Sequence, residues 1–189
     1  MEDNPEDLMY NRIHIFGTSG SGATTLGREL SQHLPHVNFD GDDYFWIEKF
    51  SEPRDPQERI RLLKKDLSNC SQWILSGAVC GWGDELKPIF DLVVLLYVPS
   101  DVRLQRLKGR EFQRYGDSIL PGGDKHEPSK AFLEWAALYD TAGLEVRSRA
   151  LHEHWVSDLT CPVLRIEGNQ SVNERVESIL KYIEFNRRY

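Results

Sequence analysis

Arg12-Ile13-His14-Ile15-Phe16-Gly17-Thr18-Ser19-Gly20-Ser21-Gly22-Ala23-Thr24-Thr25 is the stretch on which the fold is decided. A short apolar run flows into three glycines, and behind them Leu26, Leu30 and Leu34 recur at every fourth residue. That pattern reads as a strand over about 12–16, a tight loop, and a helix to about His33 with a leucine face turned inward. Strand, glycine loop and helix in this order make an anion site. The unpaired N–H groups of the loop and of the first helical turn all point at one place.

The spacing of Gly17 and Gly22, followed by the hydroxyl of Thr24, resembles the Walker A loop of P-loop nucleotide-binding enzymes. The resemblance implies that Gly17, Thr18, Ser19, Gly20, Ser21, Gly22, Ala23, Thr24 and Thr25 cradle the phosphates of ATP, with Thr24 on Mg²⁺. One position departs from it: Ala23 stands where the family keeps lysine. Backbone donors do not depend on that side chain, so binding survives the loss more easily than catalysis does. A cation acting on transition-state charge is worth about 10³–10⁵ in rate, and an active enzyme therefore needs a substitute. A nicotinamide-binding loop fits the glycine spacing poorly, although Asp40 closes the next strand where that fold keeps its ribose-binding acid.

Working outward, 189 residues suit a single domain over 12–189, preceded by a polar, disordered leader over 1–11. The formal charge of −7, from 23 basic and 30 acidic side chains, argues against a broad nucleic-acid or membrane surface. Small molecules are the expected partners, and oligomeric state is not legible. The three cysteines are widely spaced, and no apolar run approaches the length of a membrane span, so a cytoplasmic location is expected.

A second strand over about 36–39 ends in Asp40-Gly41-Asp42-Asp43. Carboxylates beside phosphates repel them unless a divalent cation intervenes or one carboxylate takes a proton from an incoming hydroxyl. The Asp40 and Asp42 pair resembles the Asp-x-Asp of shikimate-type small-molecule kinases. This implies Asp40 for the metal and acceptor and Asp42 for the acceptor and its proton. A turn capping a helix near Tyr44 explains the same acids. Resemblance to nucleoside-monophosphate kinases, which hold the acceptor between the second and third strands, implies an acceptor region over about 41–70, with Arg54 and Arg59 as anion contacts. Gly77 and Trp82, in the glycine-rich loop after a third strand, are placed at the same pocket.

A fourth strand over 92–98 leads to a helix whose arginines at 103, 106, 110 and 114 share one face. The helix resembles the one leading into the lid of adenylate-kinase-like enzymes. This implies that Arg106, Arg110 and Arg114, with a lid over about 110–128 and Arg147 beyond it, neutralise the moving phosphoryl group. His152 and His154, two apart on a helix, point to different sides and read as surface residues, not as a metal pair. After the last strand, Ser171 with Glu174 forms a capping box before a final helix, and the resemblance to adenylate-kinase-like proteins implies that Asn169 and Gln170 meet the adenine, although the capping turn alone explains the same letters.

The whole reads as a three-layer, doubly wound α/β fold with a parallel five-stranded sheet, for which the resemblance implies the order 2-3-1-4-5. Two functions follow: an ATP-dependent kinase of a small, anionic acceptor, or a nucleotide-binding protein or slow ATPase that lost transfer along with the lysine.

Overall fold

The structure, a computed structural model, describes residues 10–187. Most of the expected leader, residues 1–9, lies outside them. Its last two residues belong to the folded body, so order begins ahead of Arg12. Tyr10 is buried against Tyr182, and the Asn11 amide donates to Asp91.

Five parallel strands form the sheet: β1 (Arg12–Gly17), β2 (Val37–Asp40), β3 (Trp73–Ser76), β4 (Leu92–Tyr97) and β5 (Val163–Glu167), in the order β2-β3-β1-β4-β5. That is the expected order. It follows from burial, because β1, β3 and β4 are apolar on both faces, as central parallel strands must be. Ile13, Ile15, Ile74, Val94 and Leu96 pack on one face under α1 (Ala23–Leu30) and α7 (Val172–Arg187). Phe16, Trp73, Leu75, Val93 and Leu95 pack on the other, under α3 (Pro56–Leu67) and α6 (Arg149–Ser157).

Between β2 and α3 the chain makes α2 (Gly41–Phe45) and then a two-stranded hairpin, Trp46–Glu48 with Glu52–Pro53, which sequence periodicity did not announce. The strands are too short to show alternation. After β4 comes α4 (Ser100–Tyr115), whose four arginines divide by depth. Arg103 is fully buried, donating to the Val98 carbonyl and pairing with Asp140 at 2.5 Å. The glycine-rich segment expected as a lid folds back as a 3-10 turn over Gly116–Ile119. α5 (His126–Ala137) then starts three residues earlier than Ser129, its first histidine bonded to the Ile119 carbonyl at 2.9 Å.

The expectation that both His152 and His154 face water fails for the first of them. His154 is exposed, but His152 is fully buried, with Nδ1 2.9 Å from the Tyr139 hydroxyl. It meets Phe16 edge-on, and Phe16 in turn stacks on the equally buried His14. Burial holds His14 down to about 4 and His152 down to about 3, and lowers His36 as well. In the unfolded chain these rings titrate near 6.5, so between that value and their folded values the unfolded state binds more protons. Stability is therefore complete above about pH 6.5 and is lost as pH falls, by up to about 1.4 kcal/mol per pH unit per histidine. Asp40, raised by burial, works weakly in the opposite direction. Thermal melts should show Tm falling from pH 6.5 to 4.5 but steady from 7 to 8. A flat profile across the acid range would contradict neutral buried histidines.

Candidate active site

The loop after β1 is shaped by glycines that cannot be replaced in place. A Cβ on Gly17 would stand 2.6 Å from the Leu96 carbonyl oxygen, and Gly22 sits at φ 89°, a left-handed conformation that favours glycine. Gly22 also precedes α1 with no side-chain cap, so the first amides of that helix are free to meet a ligand. Ser21 N–H closes the loop on the Thr18 carbonyl at 3.0 Å.

This loop forms one end of a cavity of about 900 Å³, which all nine residues from Gly17 to Thr25 line. Asp42 and Gly77, both expected at an acceptor pocket, line the same cavity. Arg106, Arg110, Arg114 and Arg147 all reach it too, bringing together groups from α4 and from the loop before α6. Among the described residues Arg110 and Arg147 have no carboxylate partner. Burial and the like charge of Arg114 lower the Arg110 pKa, Glu111 and then Asp42 oppose them, and Arg147 lies 5.7 Å from the centre of the Trp135 ring. Arg114 stacks over Phe50 at 3.9 Å and stands 3.5 Å from Glu111. Arg106 holds the loop itself, donating to the Gly20 carbonyl at 3.3 Å and to Asn169 Oδ1 at 2.9 Å.

Asp40 does not reach the cavity. Its carboxylate caps α2 by accepting the Asp42 N–H at 3.1 Å, with Lys49 Nζ 3.9 Å away, because a helix starting at Gly41 needs that acceptor. Arg54 is spent on the backbone, donating to the carbonyls of Tyr44 and Trp46 and so fastening α2 to the hairpin. Arg59 is buried behind it, its guanidinium 3.7 Å over the Phe45 ring and its Nε bonded to the Arg54 carbonyl. Trp82 also stands behind the wall: its indole N–H donates to Ala78, and its ring meets Phe45 edge-on. Neither arginine is available to an acceptor, and Trp82 supports the wall without forming it. Asn169 acts through Arg106, whereas Gln170 lines the cavity with a buried Oε1 that has no hydrogen-bond partner.

Sequence reasoning missed the aromatic wall of Phe45, Trp46, Phe50, Phe132 and Trp135, and it missed Arg175 on α7. The aromatics come from two stretches far apart in the chain, 45–50 and 132–135, which no local pattern connects. Arg175 carried a signal: it shares a helix face with Val172 and Val176, the buried stripe, where a charge has no place unless something holds it.

Residues 13–125 match the family model described as an AAA domain. The uncharacterized protein YqaC of Bacillus subtilis (strain 168) is 61% identical over 178 residues, covering 94% of this chain and all of that one. Among solved structures, shikimate kinase from Acinetobacter baumannii in complex with shikimate superposes with a TM-score of 0.56 at 21% identity, covering 97% of this chain and 98% of that one. A gluconokinase from Sinorhizobium meliloti 1021 gives 0.54 at 17% identity, with 95% of each chain covered. Deoxyadenosine kinase from M. mycoides gives 0.51 at 18%, covering 92% and 98%. At these identities the structures share the fold.

Proposed function

The chain belongs to the AAA domain family and has the fold of the P-loop kinases, and from that premise we propose that it is an ATP-dependent kinase of a small, anionic acceptor. One observation carries the reading. A single cavity joins the phosphate loop to Asp42 and Gly77, with Arg110, Arg114 and Arg147 along it, so there is room for a donor and an acceptor end to end. A protein that only held nucleotide would need the first half.

In this reading the loop amides and the start of α1 receive the phosphates, and Gln170 offers its unpartnered oxygen to the adenine amino group. The donor set also suits Mg²⁺, which is commonly bound through a hydroxyl, substrate phosphates and water. Thr24 lines the cavity and would supply the hydroxyl, while Asp40, already engaged as a helix cap, would act only through water. The ion would neutralise phosphate charge. Asp42 takes the proton of the acceptor hydroxyl as its oxygen bonds to the terminal phosphorus, and the bond from that phosphorus to the bridging oxygen breaks, releasing ADP. Arg110 and Arg147, without a carboxylate partner among the described residues and lining the same space, stabilise the charge of the transferring group. The case for an anionic acceptor rests on these arginines, now that Arg54 and Arg59 are accounted for. The aromatic wall favours an acceptor with a flat or apolar face.

Ala23 favours the second reading, a nucleotide-binding protein or slow ATPase with no acceptor. ADP release from ATP and magnesium, measured with and without each member of a panel of phosphorylatable hydroxy acids, nucleosides and nucleotides, separates the two. Turnover stimulated at least about tenfold by one acceptor class is the expected result. Tight nucleotide binding with unstimulated turnover across the panel would leave the second reading standing.

A further inference from the structure

Position 23 carries no positive charge, but a guanidinium from the far end of the chain lies against the loop beside it. Arg175, on α7, is 3% exposed and yet lines the cavity. Its Nη1 donates to the Ser21 carbonyl at 2.7 Å and its Nη2 reaches the Gly168 carbonyl at 3.4 Å, while its buried Nε has no hydrogen-bond partner. A Cβ added to Gly22 would stand 3.5 Å from Nη1, so the guanidinium lies against the loop immediately ahead of α1. No carboxylate pairs with it among the described residues. The charge that it feels is that of Arg106, which holds the adjacent loop carbonyl, Gly20, from the side of α4.

Two like charges seated on neighbouring carbonyls, one of them deeply buried, raise each other's free energy. An anion in the loop relieves that cost, which is what a phosphate site requires and a simple structural buckle does not. The side chain at 23 explains the exchange. Ala23 is buried in the same cluster as Val172 and Val176, the residues that share the Arg175 face of α7. Ala23 directly follows Gly22, against which Nη1 lies, so a lysine at 23 would put a second cation within a side chain's reach of that guanidinium, and a small residue at 23 suits an arginine at 175. On the nucleotide-binding reading above, we infer that Arg175 is the phosphate-binding cation of this loop, standing in for the missing Walker A lysine.

The test uses ATP and, separately, inorganic tripolyphosphate, which probes the phosphate cup without base or sugar. In the full-length protein Arg175→Met should weaken both by about 10–100-fold, the range for losing a charge-assisted contact. Arg175→Lys should keep most of the affinity. Ala23→Lys should weaken both ligands in the wild-type background and restore both when combined with Arg175→Met. The melting temperature of Arg175→Met should fall, through the lost bonds to Ser21 and Gly168, and the lysine should leave it low. Recovery of binding without recovery of stability distinguishes a charge role from a packing role. Weaker ATP binding with unchanged tripolyphosphate binding, or no rescue by lysine, overturns the inference. Wild-type protein that binds tripolyphosphate but not ATP overturns the nucleotide reading while leaving the anion site in place.

Discussion

Asp42→Asn should lower acceptor-dependent turnover by about 10²–10⁴-fold, the usual worth of a positioned general base, while ATP binding stays within about twofold. The asymmetry follows from where the residue sits. Asp42 is in the first turn of α2, an element separate from the loop that carries the amides, and its backbone N–H is already fixed by Asp40. Asparagine keeps the shape and that backbone bond, removes the proton-accepting oxygen, and leaves the loop untouched. Steady-state kinetics with the stimulating acceptor, paired with an ATP titration, reads both quantities. Unimpaired turnover in the variant would remove Asp42 from the chemistry. A parallel collapse of ATP binding would mean that the acid belongs to the nucleotide end.

Arg110→Met should cost turnover about 10³-fold, at the lower end of what a guanidinium acting on a transferring phosphoryl group supplies, again with ATP affinity little changed. Arg110 differs from its neighbours on α4. Arg103 is buried and paired with Asp140, Arg106 is engaged with Gly20 and Asn169, and Arg114 leans on Phe50 and Glu111. Arg110 has no such partner among the described residues, and burial makes its charge costly to hold. A charge maintained at a cost on the cavity that Asp42 also lines fits one that is compensated only when the phosphoryl group passes. Methionine preserves the apolar stem and deletes the fork. An equal loss in kcat and in ATP affinity would show that Arg110 binds the nucleotide in its ground state; a loss below about threefold would show an idle surface charge.

The architecture was legible because its signals are local. Apolar runs set β1 and β4, Gly17, Gly20 and Gly22 set the loop, and Ser171 with Glu174 set the start of α7, whose reciprocal capping bonds are present at 2.7 and 3.3 Å. The candidate site was legible only in part. Periodicity put 103, 106, 110 and 114 on one face correctly, but a helix face has depth as well as direction, and packing against Asp140 turned Arg103 into a structural residue. Arg54 and Arg59 looked free because nothing in their own segment could pair with them. Their partners are carbonyls and a ring that the unannounced hairpin and α2 brought near. His152 was misjudged for the same reason: the stripe that buries it includes Phe16 from β1.

From the sequence alone came the order of strands and helices along the chain, the glycine loop between β1 and α1, and the alanine at position 23, all of which depend on residues within a few positions of one another. Tertiary structure alone decided which charges face the cavity and which are consumed in holding it. The Arg175 contact with Ser21 spans 154 residues, and that of Arg106 with Asn169 spans 63. Whether such a guanidinium meets a ligand, a carboxylate or a carbonyl is set by the three-dimensional surroundings that desolvate it, and no spacing within its own helix records them.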